Sequence, residues 1–201
     1  MSVLDIDLTG EDHTRQVALA LAKLLEKGDL LILTGELGAG KTTFTRSLGE
    51  GLGVREGVIS PTFVLSRVHP NLPDGPRPGG PDLVHVDAYR LSSGEELDDL
   101  DLEYSMDRSV TVIEWGRDKA EHLAESRLDL ELTRFTGADL TAGLEFTAER
   151  DPWDEEEDEE TPSEPRQLRI IGTGPRWEDE AWEKLSAALT SAYPVTGGTG
   201  S

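Results

Sequence analysis

The segment Gly35–Glu36–Leu37–Gly38–Ala39–Gly40–Lys41–Thr42 fits the pattern G-x-x-x-x-G-K-[ST], and it restricts the fold more than any other part of the chain. A phosphate-binding loop of this kind joins a buried parallel strand to the N-terminus of a helix. Both flanks are present. Leu30–Leu31–Ile32–Leu33 is a short, fully apolar run, as expected of a strand covered on both faces. Thr42 to Leu52 reads as a helix with Phe44 and Leu48 on one face, and Gly51 and Gly53 mark its end. The glycines let backbone N–H groups approach an anion without a Cβ in the way. In this pattern Lys41 reaches the β- and γ-phosphates as a point charge and the Thr42 hydroxyl serves Mg²⁺.

Length and charge narrow what such a loop can serve. The 201 residues suffice for one domain with a core. A net charge of −22 argues against nucleic-acid binding through a basic patch. With no cysteine, disulfides, thiolate metal sites and a thiol nucleophile are excluded. No run approaches the ~18 apolar residues of a membrane span. The acidic start, Met1 to Glu11, lacks a basic n-region, so the expected compartment is the cytoplasm.

In chain order, Val3 to Leu8 alternates like a strand, and Thr9 to Asp12 has the form of a capping box for a helix from Thr14 to Lys27, ended by Gly28. After the loop and its helix, Ser60–Pro61 opens an extended run through Val68, and Pro70 to Asp82 reads as a mobile surface loop. Leu83 to Asp87 and Val110 to Glu114 are apolar strands ending in carboxylates. Ser92 to Glu95 is a second capping-box candidate, and Lys119 to Glu125 a short helix. Leu128 to Leu132 and Leu144 to Thr147 alternate like half-exposed antiparallel strands. The acidic run Asp154 to Glu160, between prolines, predicts a disordered loop over 151–165. A strand at Leu168–Ile171 and a helix from Trp177 to Ala192 place that loop inside a single domain of residues 1–192, with a flexible tail at 193–201. The expected fold is α/β and P-loop NTPase-like: a mostly parallel sheet with flanking helices and added antiparallel strands.

A P-loop alone does not select a reaction. Asp87 and Glu114 stand where parallel strands would aim them into the crevice beside the loop, one to serve Mg²⁺ and one to orient an attacking water. Spacing does not say which does which. Thr62 lies where switch-type nucleotide hydrolases sense a γ-phosphate. Arg90 and Arg117 follow the two carboxylates and either reach phosphate or pair with acids; His85 and Trp115 read most simply as packed side chains. A guanine-reading Asn-Lys-x-Asp element is excluded, because the only asparagine, Asn71, precedes Leu72. A small-molecule kinase and a nucleotide-gated binding module remain alternatives to an ATPase.

Four motifs in order, Gly35-Glu-Leu-Gly-Ala-Gly-Lys-Thr-Thr-Phe44, Ser60-Pro-Thr-Phe63, His85-Val-Asp-Ala-Tyr-Arg-Leu91 and Ile113-Glu-Trp115, resemble the TsaE (YjeE) family of small bacterial ATPases. The resemblance runs from about Leu4 to Leu132 and resumes at Arg166–Trp177. It implies an ATPase needed for threonylcarbamoylation of adenosine 37 in tRNAs reading ANN codons, acting with TsaB and TsaD, the latter performing the transfer. It also implies ATP/ADP and Mg²⁺ as ligands and slow hydrolysis by the isolated chain. By motif, Gly35, Gly38, Ala39, Gly40, Lys41, Thr42 and Thr43 would hold phosphates, and Thr42 and Glu114 would hold Mg²⁺. Lys41, Asp87 and Glu114 would carry hydrolysis, with Ser60–Thr62 as a switch-like loop. Thr14 would lie near the base and Arg117 would line the pocket. The tRNA would be reached only through the partners, in keeping with the acidic charge.

Overall fold

The computed structural model describes residues 1–55, 57–59, 61, 64–135 and 165–192. Its strands are β1 (Ser2–Leu8), β2 (Leu30–Gly35), β3 (Ser66–His69), β4 (Asp82–Asp87), β5 (Ser109–Glu114), β6 (Arg127–Arg134) and β7 (Arg166–Thr173). The helices are α1 (Glu11–Ala22), α2 (Lys41–Leu52), α3 (Gly94–Asp98), α4 (Glu103–Met106) and α5 (Asp179–Ser191), with 3₁₀ turns at Glu121–Leu123 and Pro175–Trp177. The strands form one sheet in the order β1-β7-β6-β2-β5-β4-β3.

The expected α/β architecture is present. β6, β2, β5 and β4 run parallel to one another, while β3 joins β4, and β7 joins β6 and β1, in antiparallel pairs. The period of two explains why β2 is apolar throughout. Leu31 and Leu33 enter one core with residues of α1, α2 and α5, and Leu30 and Ile32 enter a second core with residues of α3 and the neighbouring turns. From β2 the chain travels outward to β3 and β4. From β5 it passes back across β2 to reach β6. Connections thus leave β2 and β5 in opposite directions, and a crevice opens at their carboxyl ends.

Several local expectations give way to tertiary contacts. Helix α1 stops at Ala22 rather than Lys27: Glu26 N donates to Asp29 Oδ2 at 2.7 Å, and the Arg77 guanidinium donates to the open Ala22 and Leu25 carbonyls, each at 2.8 Å. The segment Pro70–Asp82 is accordingly anchored and not a free loop. Besides Arg77, Asn71 Nδ2 donates to Leu52 O at 2.9 Å. No side chain caps the start of α1; Thr9 turns instead to His13 Nδ1. The second cap forms one residue later than expected: Ser93 accepts from Glu96 N, while the Glu96 carboxylate reaches past the cap and accepts from Ser92 N. Only Glu121–Leu123 of the Lys119–Glu125 helix forms, as a 3₁₀ turn. Strand β6 is antiparallel on its β7 side only, being parallel to β2 on the other. The strand expected at Leu144–Thr147, the acidic loop apart from Pro165, and the tail at 193–201 lie outside the described residues.

Helices α1 and α2 pack closely over β2, and Gly51 permits it: a Cβ there would lie 2.5 Å from Ala22 Cβ and 3.3 Å from Leu19 Cα. Gly51→Val is predicted to destabilise the fold. Prising the helices apart costs about 1–3 kcal/mol, more than the ~0.5–1 kcal/mol recovered by removing a glycine from a helix interior. Urea denaturation reads the difference, and an unchanged or raised midpoint would contradict this packing.

Candidate nucleotide-binding site

The sheet face under α2 changes character along its length. Leu83, Val110, Val112, Leu31 and Leu33 form its apolar part. Towards the carboxyl ends of β4 and β5 the same face carries His85, Asp87 and Glu114, all buried. The register sets Asp87 opposite Glu114, and Glu114 opposite Leu33 of β2. Both carboxylates therefore arrive beside the loop that leaves β2.

That loop depends on glycine at its first position and at the helix entry. A Cβ on Gly35 would overlap the Leu132 carbonyl oxygen of β6. Gly40, with φ of 101°, is the left-handed residue that starts α2. Lys41, the first helical residue, folds back across the loop and donates from Nζ to Gly35 O at 2.7 Å and Glu36 O at 2.9 Å. Its Nζ lies 3.8 Å from the centroid of the Trp115 ring, close enough for a cation–π contact. Burial pushes the Lys41 ammonium below its ordinary pKa, and the nearby Glu114 and Asp87 carboxylates oppose that shift. Ala39 N is engaged within the loop, donating to Glu36 O at 3.1 Å.

Thr42 Oγ1 lies 3.0 Å from Glu114 Oε1 and 3.1 Å from Oε2, a hydroxyl donating to a carboxylate. Glu114 Oε1 also lies 2.7 Å from His85 Nε2. Asp87 Oδ1 accepts from Tyr89 N at 3.0 Å, which fixes the carboxylate against its own backbone. These groups line a cleft of about 630 Å³ that includes Gly38, Gly40, Lys41, Thr42, Thr43, Asp87 and Glu114. A hydroxyl and a carboxylate in hydrogen-bond contact beside a phosphate loop are the hard oxygen donors that Mg²⁺ takes when substrate phosphates and water complete its shell, so the residues fit that ion.

The remaining expected residues fall elsewhere. Thr14 is buried on α1, its hydroxyl donating to Gly10 O at 2.9 Å, and the α1 residue that lines the cleft is Glu11. Arg117 pairs with Glu131 and borders a separate depression with Glu36, Arg134 and Phe135. Arg90 is exposed beyond Tyr89. Ser60 and Thr62 lie outside the described residues.

The cleft also gathers residues to which the sequence reading gave no firm site role: Leu37, Tyr89, Trp115 and Arg166. Trp115 and Tyr89 lie on the two carboxylate-bearing motifs, and their rings tilt against each other with centroids 5.2 Å apart. Arg166 had no local signal. It reaches the loop because β7 pairs with β6 and sets Arg166 opposite Arg134.

Comparison with known proteins gives the family. A family model described as "Threonylcarbamoyl adenosine biosynthesis protein TsaE" matches residues 8–139, more than half of the chain. The chain is 50% identical over 164 residues to a Streptomyces coelicolor protein named tRNA threonylcarbamoyladenosine biosynthesis protein TsaE, covering 81% of this chain and 93% of that one. It is 38% identical over 138 residues to the Bacillus subtilis protein of the same name, covering 68% and 80%. The crystal structure of Bacillus subtilis YdiB superposes with a TM-score of 0.63 at 28% identity, over 92% of this chain and 95% of that one. Motifs, sheet order and crevice thus converge with sequence similarity, and the chain belongs to the TsaE family.

Proposed function

We propose that this chain is a Mg²⁺-dependent ATP-binding and ATP-hydrolysing subunit that supports threonylcarbamoylation of adenosine 37 in tRNAs reading ANN codons. It works with TsaB- and TsaD-like proteins in the cytoplasm. Family membership gives it its role in tRNA threonylcarbamoyladenosine biosynthesis. The observation that carries the chemical part is the contact of Thr42 with Glu114 at 3.0 Å, beside the P-loop lysine. Among the described residues no helix is long and apolar enough to cross a membrane.

Gly38, Gly40 and Thr43 line the cleft and would face phosphate oxygens. Lys41 brings a positive charge that its surroundings desolvate, so its pull on phosphate is stronger than in water. Thr42 and Glu114 would hold Mg²⁺, which would neutralise charge on the phosphate chain. Asp87, held by the Tyr89 amide, orients the attacking water. Leu37 and Tyr89 are exposed apolar residues at the rim of the same cleft.

Lys41→Ala is predicted to lower ATP hydrolysis by about 10²–10³-fold, the scale of losing one preorganised charge-stabilising group. It should also abolish support of tRNA modification in an assay reconstituted with the two partners. Full ATPase activity in that variant would refute the site. Full tRNA modification with hydrolysis abolished would instead identify a nucleotide-gated module. Glu114→Ala is predicted to leave metal-free ADP binding in place and to weaken the Mg²⁺-dependent gain at least tenfold, as titration calorimetry with and without Mg²⁺ would read. An unchanged Mg²⁺ dependence would move the metal to Asp87.

A further inference from the structure

His85 is fully buried in the middle of β4, at a position where the period of two calls for an apolar residue under α2. Its neighbours on that face are Leu83 and Asp87, and across the pair are Val112 and Glu114. Its Nδ1 is buried without a hydrogen-bond partner among the described residues. A ring placed for packing alone would have no need of a nitrogen there, since a buried polar atom without a partner weakens the fold. The other nitrogen has a specific partner: Nε2 lies 2.7 Å from Glu114 Oε1. A carboxylate accepts only, so the proton sits on Nε2 and the ring donates to Glu114.

The consequence falls on the carboxylate. Glu114 is only 3% exposed and must have its charge compensated by hydrogen bonds. Oε1 takes both the His85 N–H and the Thr42 hydroxyl, whereas Oε2 takes only Thr42 among the described residues. His85 therefore ties down one oxygen and leaves the other with acceptor capacity. It also removes rotational freedom from a long side chain before any ligand arrives.

We propose that His85 is a positioning residue for Glu114, fixing the carboxylate so that Oε2 is the oxygen offered to the cation at the nucleotide site. This rests on the assignment of Glu114 to Mg²⁺ above. The arrangement matches the way outer-shell hydrogen bonds tune metal sites, where loss of the partner costs about 10–100-fold in metal affinity.

The test compares wild type, H85L and H85Q by ADP titration calorimetry in EDTA and in Mg²⁺. Leucine keeps apolar bulk and removes the donor; glutamine restores an N–H near the position of Nε2. The expected result is that metal-free ADP affinity stays within about threefold in both variants. The gain in affinity on adding Mg²⁺ falls at least tenfold in H85L and recovers in H85Q. An undiminished Mg²⁺ gain in H85L overturns the proposal, as does an equal loss with and without metal, which marks a packing role only. A wild type that binds ADP without any Mg²⁺ gain would overturn the assignment of Glu114 to Mg²⁺, and a wild type that binds no ADP would overturn the nucleotide-site reading itself. If the variants fail to fold, ring ¹⁵N resonances of wild-type His85 decide. The Nε2–H signal should shift on adding Mg²⁺ to the ADP complex, and a signal unmoved by the metal overturns the proposal.

Discussion

The parallel register that sets Leu33 of β2 opposite Glu114 of β5 is the constraint on which the site depends. It brings a carboxylate to the level at which the P-loop leaves the sheet, and the start of α2 then lays Thr42 over it at hydrogen-bond distance. Slipping the pairing by one residue would turn Glu114 to the opposite face, into the core shared by Val86, Ile32 and Ala120. Register is therefore fixed twice, by the apolar residues on both faces and by the charge that must find its donors.

Stability and function divide one face of the sheet between them. Below α2 the strands present leucine and valine at their N-terminal ends and His85, Asp87 and Glu114 at their C-terminal ends. Each of those polar groups is buried and has to be answered locally: Glu114 by Thr42 and His85, Asp87 by the Tyr89 amide. Lys41 is answered by two loop carbonyls and the Trp115 ring. The cleft is thus a set of locally answered polar groups in an apolar sheet, with apolar cores on both faces.

What the sequence displayed was what local chemistry writes into it. Gly-x-x-x-x-Gly-Lys-Thr after four apolar residues fixed a strand, a loop and a helix, and apolar runs closed by Asp87 and Glu114 marked the two strands beside them. What it did not display depends on partners far along the chain. The carbonyls left open where α1 stops at Ala22 are met by Arg77, and Arg166 reaches the cleft only through its pairing across from Arg134. The alternation in β6 showed which residues are buried but not that one neighbour runs parallel and the other antiparallel. His85 reads as an ordinary core residue until its distance to Glu114 is known. Thr14 came from resemblance alone, and Arg117 from resemblance and from its place after Glu114; neither is among the residues that line the cleft.

Crystals grown with Mg²⁺ and ADP would show whether the crevice between β2 and β5 holds a nucleotide and its metal together. The phosphates should be enclosed by the loop from Gly38 to Thr43. A cation should be ligated by the Thr42 hydroxyl at about 2.1 Å, with Glu114 directly or one water away. Phosphates bound elsewhere, or a cation held by Asp87 with Glu114 still closed on Thr42, would contradict that arrangement.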